Sequence, residues 1–263
     1  DVTAETIDAF HFGGFHVVQP ASGGHRSGMD AMLLAAMVAG EGALKVADLG
    51  AGAGAAGLAV ASRLPQAHVT LVERSPEMAA FARKSAVLPQ NAHLAGRVSV
   101  VEADVTLKGR ARVAAGLEDE IYDHVIMNPP FNAAADRRTP DILKADAHAM
   151  TEGLFESWIR TAGAVLKPGG HLSLIARPES ITDVVAACGK RFGGLEVTLI
   201  HPREGEAAIR MLVSAVKGSR ARLLFRAPFV MHMDGSHKFA RLIDDLNNGR
   251  AVYPRMNLRG NKT

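Results

Sequence analysis

Cysteine is almost missing from this chain, with one residue, Cys188, among 263. A single cysteine cannot form an intramolecular disulfide, so a disulfide-stabilised secreted scaffold is excluded and a reducing compartment is favoured. The first residues, 1–5, are acidic and lack the basic-then-apolar order of a signal peptide. We therefore expect a cytoplasmic protein, and we expect residues upstream of Asp1 because the chain begins without Met.

Long apolar runs and zinc-binding patterns are also lacking. The longest apolar stretch, residues 31–40, has about half the length that a bilayer crossing requires. None of the 11 histidines stands in zinc spacing beside a pair of cysteines, and no serine lies in a G-x-S-x-G setting. We expect no membrane association, no metal site and no serine-hydrolase chemistry.

Aromatic residues are scarce, at 5%, whereas glycine is abundant, with 26 residues, and apolar residues make up 48%. That balance favours a helix-and-sheet protein with tight turns over a β-sandwich. The net charge of +3 and the pI of about 9.2 are mildly basic. They fit an anionic partner and an ordinary basic enzyme equally well.

Short apolar runs alternate with helical stretches along most of the chain. Strands are predicted at 44–49, 68–73, 97–101, 122–127, 171–176, 195–200 and 209–216, and helices at 28–38, 54–64, 75–88, 151–166 and 179–188. Strands separated by helices form right-handed βαβ units, and the final strand lacks a crossover helix. The sequence predicts an α/β fold that is Rossmann-like and doubly wound, with a mostly parallel seven-stranded sheet, an antiparallel last strand and helices on both faces.

Three segments follow from this pattern: an N-terminal hairpin or extension over 1–27, a main domain over 28–218, and a C-terminal extension over 219–263. From residue 249 onward the chain carries no acid, which indicates a mobile basic tail. The basic side chains in and before this tail either contact the phosphates of an RNA or form a solvated basic face. They are Arg220, Arg222, Arg226, Arg250, Arg255, Arg259 and Lys262.

A glycine-rich loop, Asp48-Leu49-Gly50-Ala51-Gly52-Ala53-Gly54, follows the first strand of the main domain and opens a helix. Glycines there let the backbone approach a ligand closely. The same loop, continued to Gly57, satisfies the dinucleotide fingerprint, with Glu73 near the spacing of a ribose-binding acid. The loop by itself leaves a nicotinamide cofactor and S-adenosylmethionine open.

Acids at three successive strand ends favour S-adenosylmethionine. Asp48, just before the glycines, suits a cofactor with a cationic amino-acid end and would repel a pyrophosphate. Glu73 ends the second strand, and Asp104 follows the third, where an adenine amine could be bound. All three would line the crevice at the switch point of the sheet.

The tetrapeptide Asn128-Pro129-Pro130-Phe131 follows the fourth strand. Two prolines fix φ and remove backbone donors, which leaves the carbonyls of Asn128 and Pro129 as rigid acceptors. With the Asn128 side chain they could hold both hydrogens of a planar NH2 group, and Phe131 would stack on the target. As an isolated sequence, Asn-Pro is a common turn. Its place after a cofactor loop and a strand favours the functional interpretation.

These residues resemble the class I S-adenosylmethionine-dependent methyltransferases that modify exocyclic amines. The segment from Arg26 to Leu34 is similar to the segment before the first core strand in the tRNA adenine-N6 methyltransferases that act beside the anticodon of valine tRNA. The segment from Leu166 to Gly170 is similar to the turn before the fifth strand in most class I methyltransferases. The likeness covers roughly residues 12–248. It departs at Phe131, where relatives usually carry Tyr, and in the divergent stretch 132–151.

The resemblance implies a methyltransferase domain over 28–218, S-adenosylmethionine as cofactor, and an RNA substrate, with tRNA expected. The target-binding residues it implies are Asn128, Pro129, Pro130 and Phe131. The cofactor-binding residues it implies are Gly28, Asp30, Asp48, Leu49, Gly50, Gly52, Gly54, Glu73, Arg74, Ala103, Asp104 and Asn128. Candidate phosphate contacts are Arg137, Arg138 and Lys144.

Other functions stay open at this point. Methylation of a protein glutamine amide would use the same tetrapeptide, because that amide is also a planar NH2. A small-molecule O-methyltransferase needs a base or metal near a hydroxyl, and a non-catalytic RNA partner would not need the tetrapeptide. Cys188, among apolar helix residues, is interpreted as core.

Overall fold

The computed structural model describes residues 4–21, 28–130, 141–233 and 235–256, and within the helix that starts at residue 141 it describes side chains from residue 153 onward. In these ranges the chain forms one large mixed sheet, a separate two-stranded hairpin and seven α-helices. None of the helices found there has the length and apolar character that crossing a membrane requires.

The large sheet has nine strands in the order β10-β8-β9-β7-β6-β3-β4-β5, with β11 also paired to β8. Its strands are β3 Lys45–Leu49, β4 His68–Glu73, β5 Val98–Glu102, β6 Tyr122–Met127, β7 Leu166–Ala176, β8 Phe192–His201, β9 Arg210–Lys217, β10 Leu224–Phe225 and β11 Phe229–Val230. The seven longer strands confirm the predicted sheet, and β9 is antiparallel to both of its neighbours as expected. The two short strands that extend the edge beyond β8 were not predicted.

Helices cover both faces of the sheet, so strands in its middle such as β3, β6 and β9 are largely buried on both sides. They are α1 Met29–Ala36, α2 Ala55–Arg63, α3 Pro76–Ala86, α4 Gly109–Ala114, α5 Asp141–Val165, α6 Ile181–Cys188 and α7 Arg241–Asn247. Ser75 caps α3, in the helix predicted at 75–88, and its hydroxyl accepts a hydrogen bond from the Met78 N–H at 3.3 Å. Three expectations need correction. Helix α5 begins ten residues earlier than residue 151, and the residues 166–170, expected to form a turn, belong to β7. Helix α4 lies before β6, where no helix was predicted.

The N-terminal hairpin, β1 Glu5–Phe10 and β2 Phe15–Pro20, packs against α3. The backbone N–H of Val18 donates to the Ser85 hydroxyl at 2.8 Å, inside the protein. Phe15 of the hairpin and Ile243 of α7 belong to the same buried cluster as α1 and α2. Both ends of the chain therefore contribute to the core on this face of the sheet.

The predicted mobile tail is not mobile over its first part. The Tyr253 N–H donates to the Ala36 carbonyl at 2.7 Å. Arg255 forms an ion pair with the buried Glu196 at 3.4 Å. The ring of Tyr253 packs against the buried cluster and so holds this segment in place. The prediction of a mobile tail considered only the charges of the segment and missed this contact. Arg259 and Lys262 lie outside the described residues.

Candidate active site

The carboxyl ends of β3, β4 and β6 meet at one edge of the sheet. Leu49 of β3 is paired with Val72 of β4 on one side and with Met127 of β6 on the other. The next residue of each strand therefore lies at the same level, which brings together Gly50, Glu73 and Asn128. This is the switch point at which open α/β sheets bind ligands.

The glycines of the loop serve different purposes. Gly50 has a φ of +74°, and a Cβ there would lie 2.2 Å from the Trp158 ring. A Cβ on Gly54 would lie 2.7 Å from Leu71, so this glycine is also required by packing. Gly52 has a φ of +57° and meets only the end of Met78 at 3.8 Å, an ordinary contact distance. Of these three glycines, Gly52 is the one whose free face is open to a ligand.

The backbone donors of the loop are used inside the protein. The N–H groups of Gly50 and Ala51 donate to the Val72 carbonyl at 2.8 and 2.9 Å. The Gly52 N–H donates to Glu73 Oε2 at 2.9 Å. A phosphate-binding loop needs these donors free, so the loop does not have the form of a pyrophosphate cradle. This geometry favours S-adenosylmethionine over a dinucleotide.

Asp48 lies beneath the loop and not at its surface. It is 2% exposed, and its Oδ2 accepts the N–H of Gly57, in the first turn of α2, at 2.9 Å. Burial, with a further contribution from the charge of Glu73, raises the pKa of Asp48 to about 7, against the hydrogen bond from Gly57. From the sequence, this carboxylate was expected to line the crevice. In the structure it is buried and accepts a hydrogen bond from the first turn of α2.

Glu73 is half-buried and joins the loop to the end of β4. Besides Gly52, it accepts the backbone N–H of Ser75 through Oε1 at 2.8 Å. Each carboxylate oxygen keeps a lone pair for a further donor. Glu73 therefore fits the hydroxyls of a ribose next to the open face of Gly52, and the residues present fit S-adenosylmethionine.

Asp104 follows β5 at the same edge. Its Oδ1 accepts both the backbone N–H and the hydroxyl of Thr106, each at 2.8 Å. These bonds, together with the charge of Arg74, lower the pKa of Asp104, so it is a carboxylate at neutral pH. Ala103 is buried, and its N–H donates to the Glu73 carbonyl at 3.1 Å. The role of Asp104 toward an adenine amine stays a prediction.

The tetrapeptide predicted to bind the target begins directly after β6. Asn128 is half-buried, Pro129 is buried and Pro130 is exposed. Within the described part of the chain, the Asn128 side chain forms no hydrogen bond, so its amide is available to a substrate. Phe131 lies outside the described residues.

The first turn of α1 lies near the same edge. Gly28 is exposed and precedes α1, and Asp30 Oδ2 accepts the Nε–H of Arg210 at 2.8 Å. Gly28 and Met29 also line an open cleft of about 700 Å³ against the hairpin tip and the end of α7.

Arg210 was not singled out from the sequence. From the sequence, Trp158 was assigned only to a helix. As the one tryptophan of the chain, it could have been singled out as a residue that packs against the site.

Other predicted contacts have different outcomes. Arg137 and Arg138 lie outside the described residues, as does the side chain of Lys144. Arg226 does not follow an external anion, because it pairs with Glu196 at 3.4 Å and stacks on Tyr253 at 3.8 Å. Within the described ranges, no group of three His, Cys, Asp or Glu side chains could hold a metal ion.

Cys188 is buried at the end of α6, as its apolar neighbours suggested. Burial raises the pKa of its thiol to about 12. The thiolate, which is the nucleophilic form, is therefore not populated at neutral pH.

Similar proteins agree on one class of chemistry. The sequence model of the methyltransferase small domain matches residues 27–199. A tRNA1(Val) (adenine(37)-N6)-methyltransferase from Pedobacter heparinus is 29% identical, covering 78% of this chain and 83% of its own length. A release factor glutamine methyltransferase from Deinococcus radiodurans is 33% identical over 54% of this chain and 49% of its own. The crystal structure of a predicted O-methyltransferase from Agrobacterium tumefaciens is 60% identical, covers 86% of this chain and 99% of its own, and has a TM-score of 0.76.

Proposed function

Because this chain belongs to the methyltransferase small domain family, we propose that it methylates the exocyclic N6 amine of an adenine in RNA, with tRNA as the substrate. The chain is an S-adenosylmethionine-dependent methyltransferase, as its family and relatives show. The choice of acceptor rests on one observation, the position of Asn128-Pro129-Pro130 at the end of β6, level with Gly50 and Glu73. The proposal places the protein in the cytoplasm, where tRNA is modified.

The cofactor would lie along the open face of the glycine loop. Glu73 would accept the ribose hydroxyls, Asp104 the adenine amine, and Gly52 would leave room for close approach. S-adenosylmethionine, when bound, would supply a methyl group that the lone pair of a neutral amine can accept, with the sulfonium sulfur leaving as a neutral thioether. Asp48 acts indirectly, because its carboxylate fixes the start of α2 and hence the shape of the loop.

Asn128 would accept a hydrogen bond from the NH2 group and direct its lone pair toward the methyl group. Most of the acceleration comes from this positioning, since holding two reactants in line removes much of the entropic cost of their encounter. The surplus proton of the methylated amine leaves to water. No strong base is needed before transfer.

Two relatives suggest other acceptors. The likeness to the glutamine methyltransferase covers about half of that protein, whereas the likeness to the tRNA methyltransferase covers most of both chains. The 60% identical protein from Agrobacterium tumefaciens is named a predicted O-methyltransferase. The two carboxylates at this edge, Glu73 and Asp104, are assigned to the cofactor in this proposal, whereas the acceptors of Asn128 and Pro129 suit a planar NH2 group. An amine acceptor fits Asn128 better.

The direct test is transfer of radiolabelled methyl from S-adenosylmethionine to total bacterial RNA, with nucleoside analysis of the product. Label in N6-methyladenosine supports the proposal. Label that survives RNase treatment and is found in protein would instead indicate a glutamine amide. Label in neither, with the cofactor still bound, would direct the search to small molecules.

Asn128→Ala should abolish this transfer, because the amine loses its side-chain acceptor. Binding of S-adenosylmethionine, measured by calorimetry, should stay within a few-fold of the wild type. Gln90→Ala, an exposed amide in the turn after α3, is the matched control and should retain full activity. Undiminished turnover in Asn128→Ala would contradict the role given to this residue.

A further inference from the structure

The tip of the N-terminal hairpin exposes an aromatic ring on a strained backbone. His11 and Phe12 have φ values of +50° and +55°, in the left-handed region that bulky side chains rarely adopt. The conformation is unfavourable because Cβ comes close to the following carbonyl oxygen. Phe12 is nevertheless 72% exposed, so burial of its ring does not offset this strain. A strained residue that adds little to the core indicates a binding role.

The loop that carries Phe12 is held in one conformation. The His11 ring packs edge-on against Phe15, with the ring centroids 5.1 Å apart. The same ring lies against the turn after α7, where a Cβ on Gly249 would be 2.6 Å from His11 Nδ1. The Gly14 N–H donates to the His11 carbonyl at 3.0 Å and closes the loop. The ring of Phe12 is therefore presented in a preorganised position.

Arg250 covers one face of the Phe12 ring. Its guanidinium carbon lies 4.8 Å from the ring centroid, within the range of a cation–π contact. The guanidinium donates to Asp244 at 2.6 Å and to Asp245 at 2.9 Å. These two carboxylates compensate its charge, so the contact offers no excess positive charge to a phosphate. The other face of the exposed ring is open to a ligand that stacks.

The ring borders an open cleft of about 700 Å³ between the hairpin tip, the start of α1 and the end of α7. Asn247, in the cleft wall, is half-buried. Within the described ranges of the chain, its side-chain amide forms no hydrogen bond. An amide offers both donors and an acceptor, which the edge of a nucleobase can use. A flat ring and a free amide in one cleft fit a planar ligand with a polar edge.

A short series of contacts joins the cleft to the proposed target site. Gly28 and Met29, which line the cleft, directly precede Asp30. Asp30 Oδ2 accepts the Nε–H of Arg210, the first residue of β9. One strand, β7, separates β9 from β6, which Asn128 follows. Two strand spacings and an arginine side chain amount to roughly 15–20 Å, a distance that a few nucleotides of one RNA strand can span.

We propose that Phe12 is a stacking platform for an unpaired base of the RNA whose adenine is held at Asn128. Arg250 supports the covered face of the ring, and Asn247 contacts the edge of the stacked base. Unpaired bases of RNA are recognised by stacking on aromatic rings and by hydrogen bonds to their edges. This inference rests on the proposed RNA substrate. It adds a second contact with the same strand, away from the methylated base.

The test is methylation of total bacterial tRNA by Phe12→Ala, Phe12→Leu and Phe12→Tyr. Loss of a stacked base should raise the KM for tRNA about tenfold in the Ala and Leu variants. The Tyr variant keeps the ring and should behave like the wild type. The slope of log affinity for tRNA against log salt should not change, because no charge is removed. The kcat at saturating tRNA, the affinity for S-adenosylmethionine and the melting temperature should change little.

Phe225→Ala is the matched control, because it removes a phenylalanine that is 62% exposed on β10, at the far edge of the sheet. If Phe12→Ala has the same KM as this control, the stacking platform is overturned. It is also overturned if Phe12→Leu behaves like the wild type, since any apolar side chain would then suffice.

A second arm measures binding of single-stranded oligoadenylate by fluorescence anisotropy, without methyl transfer. Phe12→Ala should bind this probe more weakly than the wild type and Phe225→Ala do. Where the wild type methylates no RNA, this arm judges the platform. Equal binding by all three proteins then overturns it. Weaker binding by Phe12→Ala alone supports it, while the proposed methylation of RNA fails.

Discussion

At the residue scale, the glycine loop contains positions of the same type with different requirements. Gly50 is enforced by the Trp158 ring, which occupies the space of any side chain. Gly57 is similarly enforced, since a Cβ there would lie 2.3 Å from Leu71. Gly52 has open space around it and is required only by its positive φ and by whatever binds beside it. A fingerprint of glycines therefore combines packing and binding constraints.

The pair Gly50→Ala and Gly52→Ala separates these constraints. Both place alanine at positive φ, at a cost of about 1–2 kcal/mol. Gly50→Ala should lose about 1–3 kcal/mol more in the free energy of unfolding, because the methyl group displaces Trp158. Gly52→Ala should fold and lose affinity for S-adenosylmethionine. Urea denaturation and calorimetry measure the two effects, and equal stability of the two variants would refute the packing argument.

At the scale of the element, the first turn of α2 is hydrogen-bonded to a buried carboxylate, that of Asp48. The helix starts after Gly54, and Asp48 receives the N–H of Gly57 in its first turn. A negative group at a helix N-terminus is favourable, although complete burial opposes its ionisation. The raised pKa of Asp48, about 7, is the result of these opposing effects. The start of this helix therefore titrates in the physiological range.

Asp48 should make stability depend on pH. Its pKa rises from 3.8 in the unfolded chain to about 7 in the folded one, so the stability it contributes is complete below pH ~4 and is lost as the pH rises from there through ~7. Between pH 5 and 8 the loss is roughly 3 kcal/mol. Asp48→Asn lacks this titration. Thermal denaturation without cofactor should show the variant gaining on the wild type as the pH rises, and parallel pH profiles would contradict this.

At the scale of the whole molecule, the last described segment holds the far edge of the sheet. Glu196 of β8 is 3% exposed and receives Arg226 and Arg255, each at 3.4 Å. The backbone N–H of Met256 donates to the same carboxylate at 3.1 Å. One buried acid thus joins β8, the stretch after β10 and the end of the described chain.

Glu196→Gln should therefore destabilise the whole domain. The glutamine fills the same space but leaves two partly buried guanidinium groups without a counter-charge, at a cost of about 3 kcal/mol in the free energy of unfolding. Glu204→Gln, at an exposed position in the loop after β8, is the control and should change little. Urea denaturation measures both. If Glu196→Gln is as stable as the control, the segment is not anchored by this acid.

By itself, the sequence determined the order of the seven longer strands and of the helices between most of them, the antiparallel last strand and the methyltransferase chemistry. Periodicity, capping residues such as Ser75 and the tetrapeptide at Asn128 are local in the chain, and so are their causes. Only the tertiary structure decided that Asp48 supports the loop from beneath and that Arg250 stacks on Phe12. Burial and contacts between segments depend on residues far apart in sequence, and no local pattern encodes them.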